Sequence, residues 1–228
     1  MNKLALTQRL SRETGVNQNG PVTTIGQVGE YKRLVDWIDT AYEDIQTIHS
    51  TWQFLRKEFT FVTVAGTAAY TPSSIPPADF AEWAADDDGD SEDFRLYLNA
   101  ADEGYMVYLP WDEFRQVYMI GNARTQTGRP TVYTIKPDDT LILHPIPNDV
   151  FTVTGEYYRT PDEMDADADE PIFPERFHLA VMWLALKHYG AYSQEPDKYM
   201  VGQVEFKKKL RGLEKSQLPQ MAWGAPLA

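Results

Sequence analysis

The feature that most constrains the fold is a long apolar periodicity in the first quarter of the chain. Six apolar residues follow one another at alternating steps of three and four: Val28, Tyr31, Val35, Ile38, Tyr42 and Ile45. Because an α-helix turns once every 3.6 residues, this spacing places them on one stripe of a helix. Four more apolar residues widen that stripe: Leu34, Trp37, Ala41 and Ile48. The sequence therefore predicts a helix over about 27–50, capped by Thr23 or Thr24, that packs against more than one neighbour.

Three further helices are predicted, one before this stripe and two near the other end of the chain. The first covers about 2–14 and stops at Gly15, with apolar marks at Leu4, Leu6 and Leu10. The second begins near Pro174, ends near Gly190, and has one stripe formed by Phe177, Val181, Leu184 and His188. The third covers about 197–215, and its apolar side is marked by Tyr199, Phe206, Leu210 and Leu213. Glycine and proline at these boundaries interrupt helical backbone, so they separate the helices.

The region between these helices has the composition of β-strands. Residues 59–64 and 68–72 flank Ala65-Gly66-Thr67, which predicts a hairpin. Short strands are expected at 95–99 and 105–109, followed by a helix over 111–120. Strands at 131–136, 140–144 and 150–159, separated by turns rich in Pro and Asp, predict an antiparallel meander. In the last strand Phe151, Val153, Gly155 and Tyr157 alternate with polar residues and predict one buried face.

This order of elements predicts an α+β fold. Helices at both ends of the chain would supply each other's packing partners and form a helical bundle base. The base is expected to comprise 1–54 and 172–215, and an antiparallel β-rich lobe is expected to be inserted as residues 55–171. Residues 216–228 contain Pro and Gly without a packing pattern and are expected to form an extended C-terminal tail.

Composition favours a folded acidic protein over several other classes. Hydrophobic residues make up 43% of the chain and aromatic residues 13%, which is enough to build a core. The net charge of −13 argues against a general nucleic-acid binder, because such proteins need a basic face to displace counterions from phosphates. The charge serves either solubility or a surface that repels passing DNA. No run approaches the ~20 apolar residues that span a bilayer, so no membrane association is expected.

Metal-binding and catalytic patterns are weak. The segment Asp165-Ala166-Asp167-Ala168-Asp169-Glu170 resembles the start of a calcium loop, but Glu170 and Arg176 occupy positions where that loop has Gly and Glu. His178 and His188 are ten residues apart, which is not a ligand spacing within a helix, and His188 is expected in the core. Neither a Gly-x-Ser-x-Gly elbow nor a cysteine is present. We therefore expect no metal, no cofactor and no enzymatic activity.

Two segments are candidates for contact with partners. The first is basic: Lys207, Lys208, Lys209 and Arg211. These cations either complement the dipole at the end of the last helix or contact passing DNA or an acidic partner. The second lies in the tail and offers apolar anchors at Leu218, Met221, Trp223 and Leu227. A short segment of this kind either docks into a groove of the portal or another partner, or frays.

Two blocks of the sequence resemble the head-to-tail adaptor, or connector, proteins of tailed bacteriophages. In the first block Gly128-Arg129-Pro130 opens a strand, a hairpin carries Pro145 and Pro147, and a strand with Tyr157-Tyr158 follows. The second block lies near the N-terminus and includes Gly20-Pro21, Gly29-Glu30, Val35-Asp36-Trp37-Ile38 and Trp52. The resemblance covers most of 1–215, is weakest over 73–125 and does not extend to the tail.

This resemblance implies a non-enzymatic structural subunit without cofactors. Such adaptors form a ring, here of twelve copies, that joins the portal of the capsid to the tail and lets double-stranded DNA pass. The implied partners are further copies of the chain, the portal protein, and tail tube, nozzle or fibre proteins. The implied location is the neck of the virion, after assembly in the host cytoplasm.

An alternative function is binding of carbohydrate or of the host surface by a tail-associated phage protein. Aromatic side chains of the β-rich lobe would then form a stacking platform of Trp83, Tyr97, Tyr105, Tyr108 and Trp111.

Overall fold

A computed structural model describes residues 1–75, 78–85, 94–99 and 101–218 of the chain. The α-helices of this part are α1 (Lys3–Thr14), α2 (Gly29–Thr47), α3 (Trp111–Tyr118), α4 (Leu179–Tyr192) and α5 (Pro196–Gln217). The first six strands are β1 (Arg56–Val62), β2 (Ala69–Tyr70), β3 (Phe80–Trp83), β4 (Arg95–Tyr97), β5 (Gly104–Tyr105) and β6 (Val107–Tyr108). The remaining strands are β7 (Thr127–Gly128), β8 (Val132–Ile135), β9 (Leu141–His144), β10 (Ile146–Pro147) and β11 (Thr152–Arg159). The predicted α+β class, with helices at both ends of the chain, is confirmed.

The chain divides into two compact units. One contains Met1–Phe54 and the residues from Pro161 onward, and we call it the helical unit. The other is Leu55–Thr160, which we call the β unit. Residues 161–171, which the sequence analysis placed with the β-rich lobe, group with the helical unit.

The helical unit is organised around α4, which contacts α1, α2 and α5. Half of the residues of α4 are buried, including Ala180, Val181, Met182, Leu184, Ala185 and Leu186. A helix that is apolar on nearly every side needs neighbours on nearly every side, and α4 has three. By contrast, α5 has few contacts with described elements other than α4 and the short turn Glu175–Phe177. The unit therefore has one enclosed helix and one with a single main neighbour.

Two glycines bring α4 and α5 unusually close together. A Cβ on Gly202 of α5 would lie 2.7 Å from the backbone nitrogen of Lys187 and 2.9 Å from the carbonyl oxygen of Trp183. Gly190 of α4 likewise faces the backbone of Tyr199. Gly190 was predicted to end its helix, but it lies inside α4. There the missing side chain permits backbone-to-backbone packing.

The start of α2 differs from its prediction. Val28 precedes the helix without a side-chain cap, and neither predicted cap residue occupies that position. Thr24 instead donates from its backbone nitrogen to Asp167 Oδ1 at 2.6 Å and from its hydroxyl at 2.5 Å. Val28 was also predicted to lie on the buried stripe, but it is 79% exposed. The other end of the stripe behaves as predicted, with Ile38, Tyr42 and Ile45 buried.

The β unit contains mixed pairing where hairpins were predicted. β1 pairs antiparallel with β11, and β2 pairs antiparallel with β9, so the hairpin predicted for 59–64 and 68–72 is wrong. β8 and β9 form the first step of the predicted meander, but β11 lies in a different sheet. β6 pairs parallel with β8, and β7 with β10, so the lobe is not wholly antiparallel. Local sequence patterns predict that a strand pairs with its nearest neighbour in the chain. Here burial of a shared core favours pairing with a strand that is distant in the chain.

Aromatic side chains fill the core of the β unit. Phe94 stacks on Tyr133 with ring centroids 4.5 Å apart and meets the edge of Phe59 at 5.1 Å. Trp83 packs against Phe59 and donates its indole N–H to the carbonyl of Asp139 at 2.8 Å. A Cβ on Gly155 would lie 2.5 Å from Phe94 and 2.8 Å from Phe59, so only glycine leaves room for these rings. The predicted alternation of buried residues along β11 is confirmed.

Candidate functional site

The outer side of α5 is the most distinctive exposed surface of the helical unit. One stripe runs along it at steps of four, three, four and four: Met200, Val204, Lys207, Arg211 and Lys215. All five are exposed, and Met200 and Val204 keep 54% and 46% of their surface in water. Val201 and Lys208 flank the stripe and are exposed as well. The helix therefore offers an apolar first half and a basic second half on the same side, and we call this surface the α5 face.

The opposite side of α5 explains this orientation. Gly202, Phe206 and Leu213 are buried and follow one another at helical spacing, so they fix which side of the helix meets the unit. Lys209 lies on the same side as these residues and is half-buried. Of the predicted basic contacts, the structure thus brings Lys207, Lys208 and Arg211 onto one outer surface and separates Lys209 from them.

Most cations of the α5 face have no ion-pair partner among the described residues. Lys208 contacts the carboxylate of Glu205 on the preceding turn. Lys207, Arg211 and Lys215 form no ion pair with any residue that the structure describes. A salt bridge between neighbouring turns of an exposed helix is weak, so even Lys208 stays available to another charge. The second half of the face therefore carries a net positive charge on a strongly acidic protein.

A second exposed apolar surface is the loop between α1 and α2. It presents Val22, Ile25 and Val28, which are 90%, 63% and 79% exposed. The loop is held firmly beneath them, because Thr24 is bonded to Asp167 and the carbonyl of Pro21 accepts a hydrogen bond from Gln8 Nε2 at 3.1 Å. Apolar residues displayed on an anchored loop are a common mark of protein contact surfaces. We call Val22, Ile25 and Val28 the apolar loop.

The acidic segment 165–170 provides the anchor for this loop. Hydrogen bonds from the side chains of Thr23 and Thr24, and from the backbone of Thr24, hold the pKa of Asp167 below its usual value. Asp169 Oδ2 accepts from the backbone nitrogens of Asp165 and Ala166, which closes the turn. In the described part of the chain, no cluster of three or more His, Asp or Glu side chains could hold a metal ion. The side chains of Asp167 and Asp169, two of the four acidic residues of this segment, therefore accept hydrogen bonds from the protein itself.

An acidic surface lies along the outer side of α2. Asp36, Asp39 and Glu43 follow helical spacing, and Asp165 lies beside them; we call these four residues the α2 face. Burial raises the pKa of Asp39, the ion pair with Lys3 at 2.9 Å lowers it, and the charges of Asp36 and Asp165 raise it further. Asp36 is paired with Lys32 at 2.9 Å, whereas the Glu43 carboxylate has no ion-pair partner among the described residues.

The histidines lie at structural positions. His188 was expected in the core, but it is partly exposed on α4, where its Nε2 lies 3.2 Å from Asp44 Oδ2. Two histidines are buried: His144 of β9, and His178, whose Nε2 lies 2.8 Å from the carbonyl oxygen of Phe173. The remaining predicted contact residues are in the tail. Leu218 is half-buried at the end of α5, while Met221, Trp223 and Leu227 lie outside the described residues.

The five residues that were predicted to form an aromatic platform in the β unit are not all exposed. Trp83 is buried, with only 5% of its surface exposed, and its indole nitrogen is already bonded to Asp139. Tyr108 packs on Tyr133, with ring centroids 5.4 Å apart, and Trp111 lies under Lys136. Tyr105 is exposed and Tyr97 is partly exposed, so with Trp83 buried the five predicted rings do not share one exposed surface. The structure gives no support to the carbohydrate-binding alternative.

The β unit exposes an apolar surface of its own near the edge strand β1. A groove there is lined by Phe61, Val62, Val64, Ala69 and Tyr70. Val62 and Val64 are each more than half exposed. Unpaired edge strands beside apolar side chains are available to other chains. This groove is a further surface that the chain can offer to a partner.

The Gly128-Arg129-Pro130 motif has a structural role in the β unit. Arg129 donates to the carboxylate of Asp102 at 2.7 Å and to the carbonyl oxygen of Leu96 at 3.0 Å. It thereby ties β4 and the turn after it to the segment between β7 and β8. A planar guanidinium suits this task because it donates several hydrogen bonds in fixed directions.

Most of the exposed apolar residues were not predicted from the sequence to be exposed. Val22 and Ile25 were not singled out, and Val28 was assigned to the core. Met200, Val201 and Val204 were likewise not noticed beside the basic residues that follow them. A helical wheel of α5 could have found them, because their stripe lies opposite Gly202, Phe206 and Leu213.

Comparison with known proteins agrees with an assembly role. The model of the SU10 adaptor protein family matches residues 1–228, the whole chain. No curated protein matches the chain. Among the described residues, no helix combines the length and apolar character needed to cross a membrane. The chain belongs to the SU10 adaptor family, a family of phage head–tail adaptors.

Proposed function

We propose that this member of the SU10 adaptor family forms a ring, of twelve copies, between the portal and the tail of a bacteriophage. The observation that carries the proposal is the family match over the complete chain, 1–228. A structural adaptor role follows from the family, and no described feature calls for catalysis. The ring, its copy number and its position under the portal go beyond that match and constitute the proposal.

The uncovered surfaces of the helical unit support assembly with other proteins. The α5 face and the apolar loop place large apolar side chains in water, which has a free-energy cost that a protein contact removes. Such surfaces are expected on a subunit that works only when its neighbours are present. The β-unit groove beside β1 offers a further surface for the portal or for tail tube, nozzle or fibre proteins.

The charge of the chain supports a passage for DNA. With a net charge of −13, the protein as a whole repels the phosphate backbone. Double-stranded DNA that crosses an acidic ring during ejection is confined without being bound. We further propose that the ring lies in the neck of the virion and is assembled in the host cytoplasm.

Deletion of the gene from the phage tests the function. We expect cells infected with the deletion phage to accumulate DNA-filled heads and free tails, and a plasmid copy of the gene to restore complete virions. Gold-labelled antibody against the protein should mark the neck of complete virions in electron micrographs. Label at the tips of fibres, or complete virions formed without the protein, would contradict the proposal.

A further inference from the structure

The α5 face and the α2 face belong to the same unit but have opposite character. The second half of α5 carries Lys207, Lys208, Arg211 and Lys215. The outer side of α2 carries Asp36, Asp39 and Glu43, with Asp165 beside them. Opposite charges on two separate surfaces of one chain favour head-to-tail association of copies, because each copy then presents both halves of the contact.

The two helices also run in the same direction. Near their beginnings, the guanidinium of Arg33 on α2 lies 4.9 Å over the ring of Tyr192, four residues before α5 starts. Near their ends, His49 Nε2 lies 3.3 Å from Glu214 Oε1 on α5. The two helices therefore begin at one end of the helical unit and finish at the other.

Because α2 and α5 run in the same direction, copies related by rotation about an axis along these helices place their helix starts at one level and their helix ends at another. At the level where the helices begin, α5 has Met200, Val201 and Val204, and α2 is preceded by the apolar loop. At the level of the later turns, α5 is basic and Glu43 of α2 has no ion-pair partner among the described residues. A copy placed beside another without being inverted, and shifted along the helices by about one turn, meets Met200 with the apolar loop and Lys207 and Arg211 with Asp39 and Glu43.

The helical unit leaves both faces uncovered by its own elements. α4 is enclosed by α1, α2 and α5, whereas α5 and α2 share few contacts with each other. A shallow depression lined by Met200, Val201, Val204 and Glu205 lies on the α5 face, so the surface can receive protruding side chains. Val22, Ile25 and Val28 protrude from an anchored loop and are of suitable size.

We propose that the α5 face of one copy binds the α2 face and apolar loop of the next copy, and that this contact closes the ring. The inference rests on the proposed function and names the surfaces that join the subunits. It assigns Lys207, Lys208 and Arg211 to an acidic protein partner, and DNA is the competing ligand for the same cations. The contact is heterologous, because it joins two different surfaces. If the rotation between neighbouring copies closes after a whole number of subunits, the copies form a ring in which each one uses both surfaces.

A charge-exchange experiment in the phage distinguishes an acidic protein partner from DNA as the ligand of these cations. The deletion phage is complemented with wild type, with K207E/R211E, with D36K/E43K, and with all four substitutions in one chain. We expect each pair alone to lower the titre about a hundredfold, since like charges facing each other cost several kcal/mol. The four substitutions together should restore the titre to within about tenfold of wild type, because the charges are exchanged and remain opposite.

The outcomes distinguish the inference from the function on which it rests. If K207E/R211E lowers the titre and the fourfold variant does not recover, the cations bind DNA or another protein and the inference is overturned. If neither pair lowers the titre, the two faces do not form the contact and the inference fails. If the deletion itself leaves virions complete, the proposed function fails first. Arg12→Glu, at an exposed position of α1, is the matched control and should not change the titre.

Cross-linking gives a second readout that does not depend on charge. The chain has no cysteine, so introduced cysteines are its only thiols. Virions that carry T40C/K207C and are treated with a short bis-maleimide should yield a ladder of covalent multimers on a denaturing gel. T40C alone, K207C alone and R12C/K207C should remain monomeric. A ladder from R12C/K207C and none from T40C/K207C would place a different surface at the subunit contact.

Discussion

The two units of this chain are built around different cores, and each also exposes apolar residues outside its core. The β unit encloses an aromatic core in which Phe94, Tyr133 and Trp83 are almost without contact to water. The helical unit encloses α4 but leaves apolar residues of α5 and of the α1–α2 loop exposed. A core that is closed within one chain stabilises that chain alone, whereas exposed apolar residues stabilise an assembly. The comparison separates residues that fold the subunit from residues that join it to others.

The largest effect on stability is expected from truncation inside the β unit. Phe94→Ala removes a fully buried ring that stacks on Tyr133, and it should lower the free energy of unfolding by about 3–5 kcal/mol. Hydrogen exchange followed by mass spectrometry should show faster exchange over Thr152–Arg159 and little change in α4. Equal acceleration in both units would contradict the view that the β unit has its own core.

A smaller effect is expected where α4 and α5 approach closely. Gly202→Ala places a Cβ against the backbone of Lys187 and Trp183, so the helices must separate, at a cost of about 1–3 kcal/mol. Gly212→Ala is the matched control, because its Cβ would meet only the Phe177 side chain, which can move. Thermal unfolding followed by circular dichroism should show a lower midpoint for the first variant. A midpoint for G202A at or above that of G212A would contradict the close packing.

A local effect is expected at the anchor of the apolar loop. Because the pKa of Asp167 is lower in the folded chain than its usual value of 3.8, its contribution to stability is complete above pH 3.8. That contribution is lost as the pH falls through the lowered pKa of the folded state. Amide exchange of residues 20–28, corrected for its intrinsic pH dependence, should therefore accelerate below that pH in the wild type. Asp167→Ala should show the faster exchange at neutral pH as well, and unchanged protection in that variant would exclude the anchor.

The smallest effect on stability is expected for the most exposed residues. Val22→Ser with Ile25→Ser should change the free energy of unfolding by no more than about 0.5 kcal/mol, because both side chains already lie in water. The same variant should attach few tails in a complementation assay, since it removes the apolar residues proposed to meet the α5 face. A strongly destabilised variant would show instead that these residues belong to the core.

The sequence predicted the elements better than it predicted their pairing. Helix periodicity located α1, α2, α4 and α5 because it is a local property of the chain. The partner of β1 could not be read in this way: Phe59 pairs with Gly155, almost a hundred residues away, because Gly155 leaves room for its ring. Nor could the burial of Trp83, which depends on a hydrogen bond to Asp139.

The candidate surfaces were predicted only in part. The run Lys207–Lys209 was visible as a charge cluster, but its division between two sides of α5 depends on the orientation that Gly202 and Phe206 impose. Val28 was assigned to the core because its spacing fits the stripe of α2. The helix begins one residue later, so Val28 lies on the loop and outside the pattern. Periodicity identifies which residues can share a side, and it does not show where a helix starts.

The most direct test is a cryo-electron microscopy reconstruction of the virion neck at a resolution that separates helices. It should show a ring of this protein between portal and tail, with α5 of each copy lying parallel to α2 of the next and Val204 out of contact with water. A ring in which α5 faces the DNA channel, or a neck built without this chain, would contradict the account.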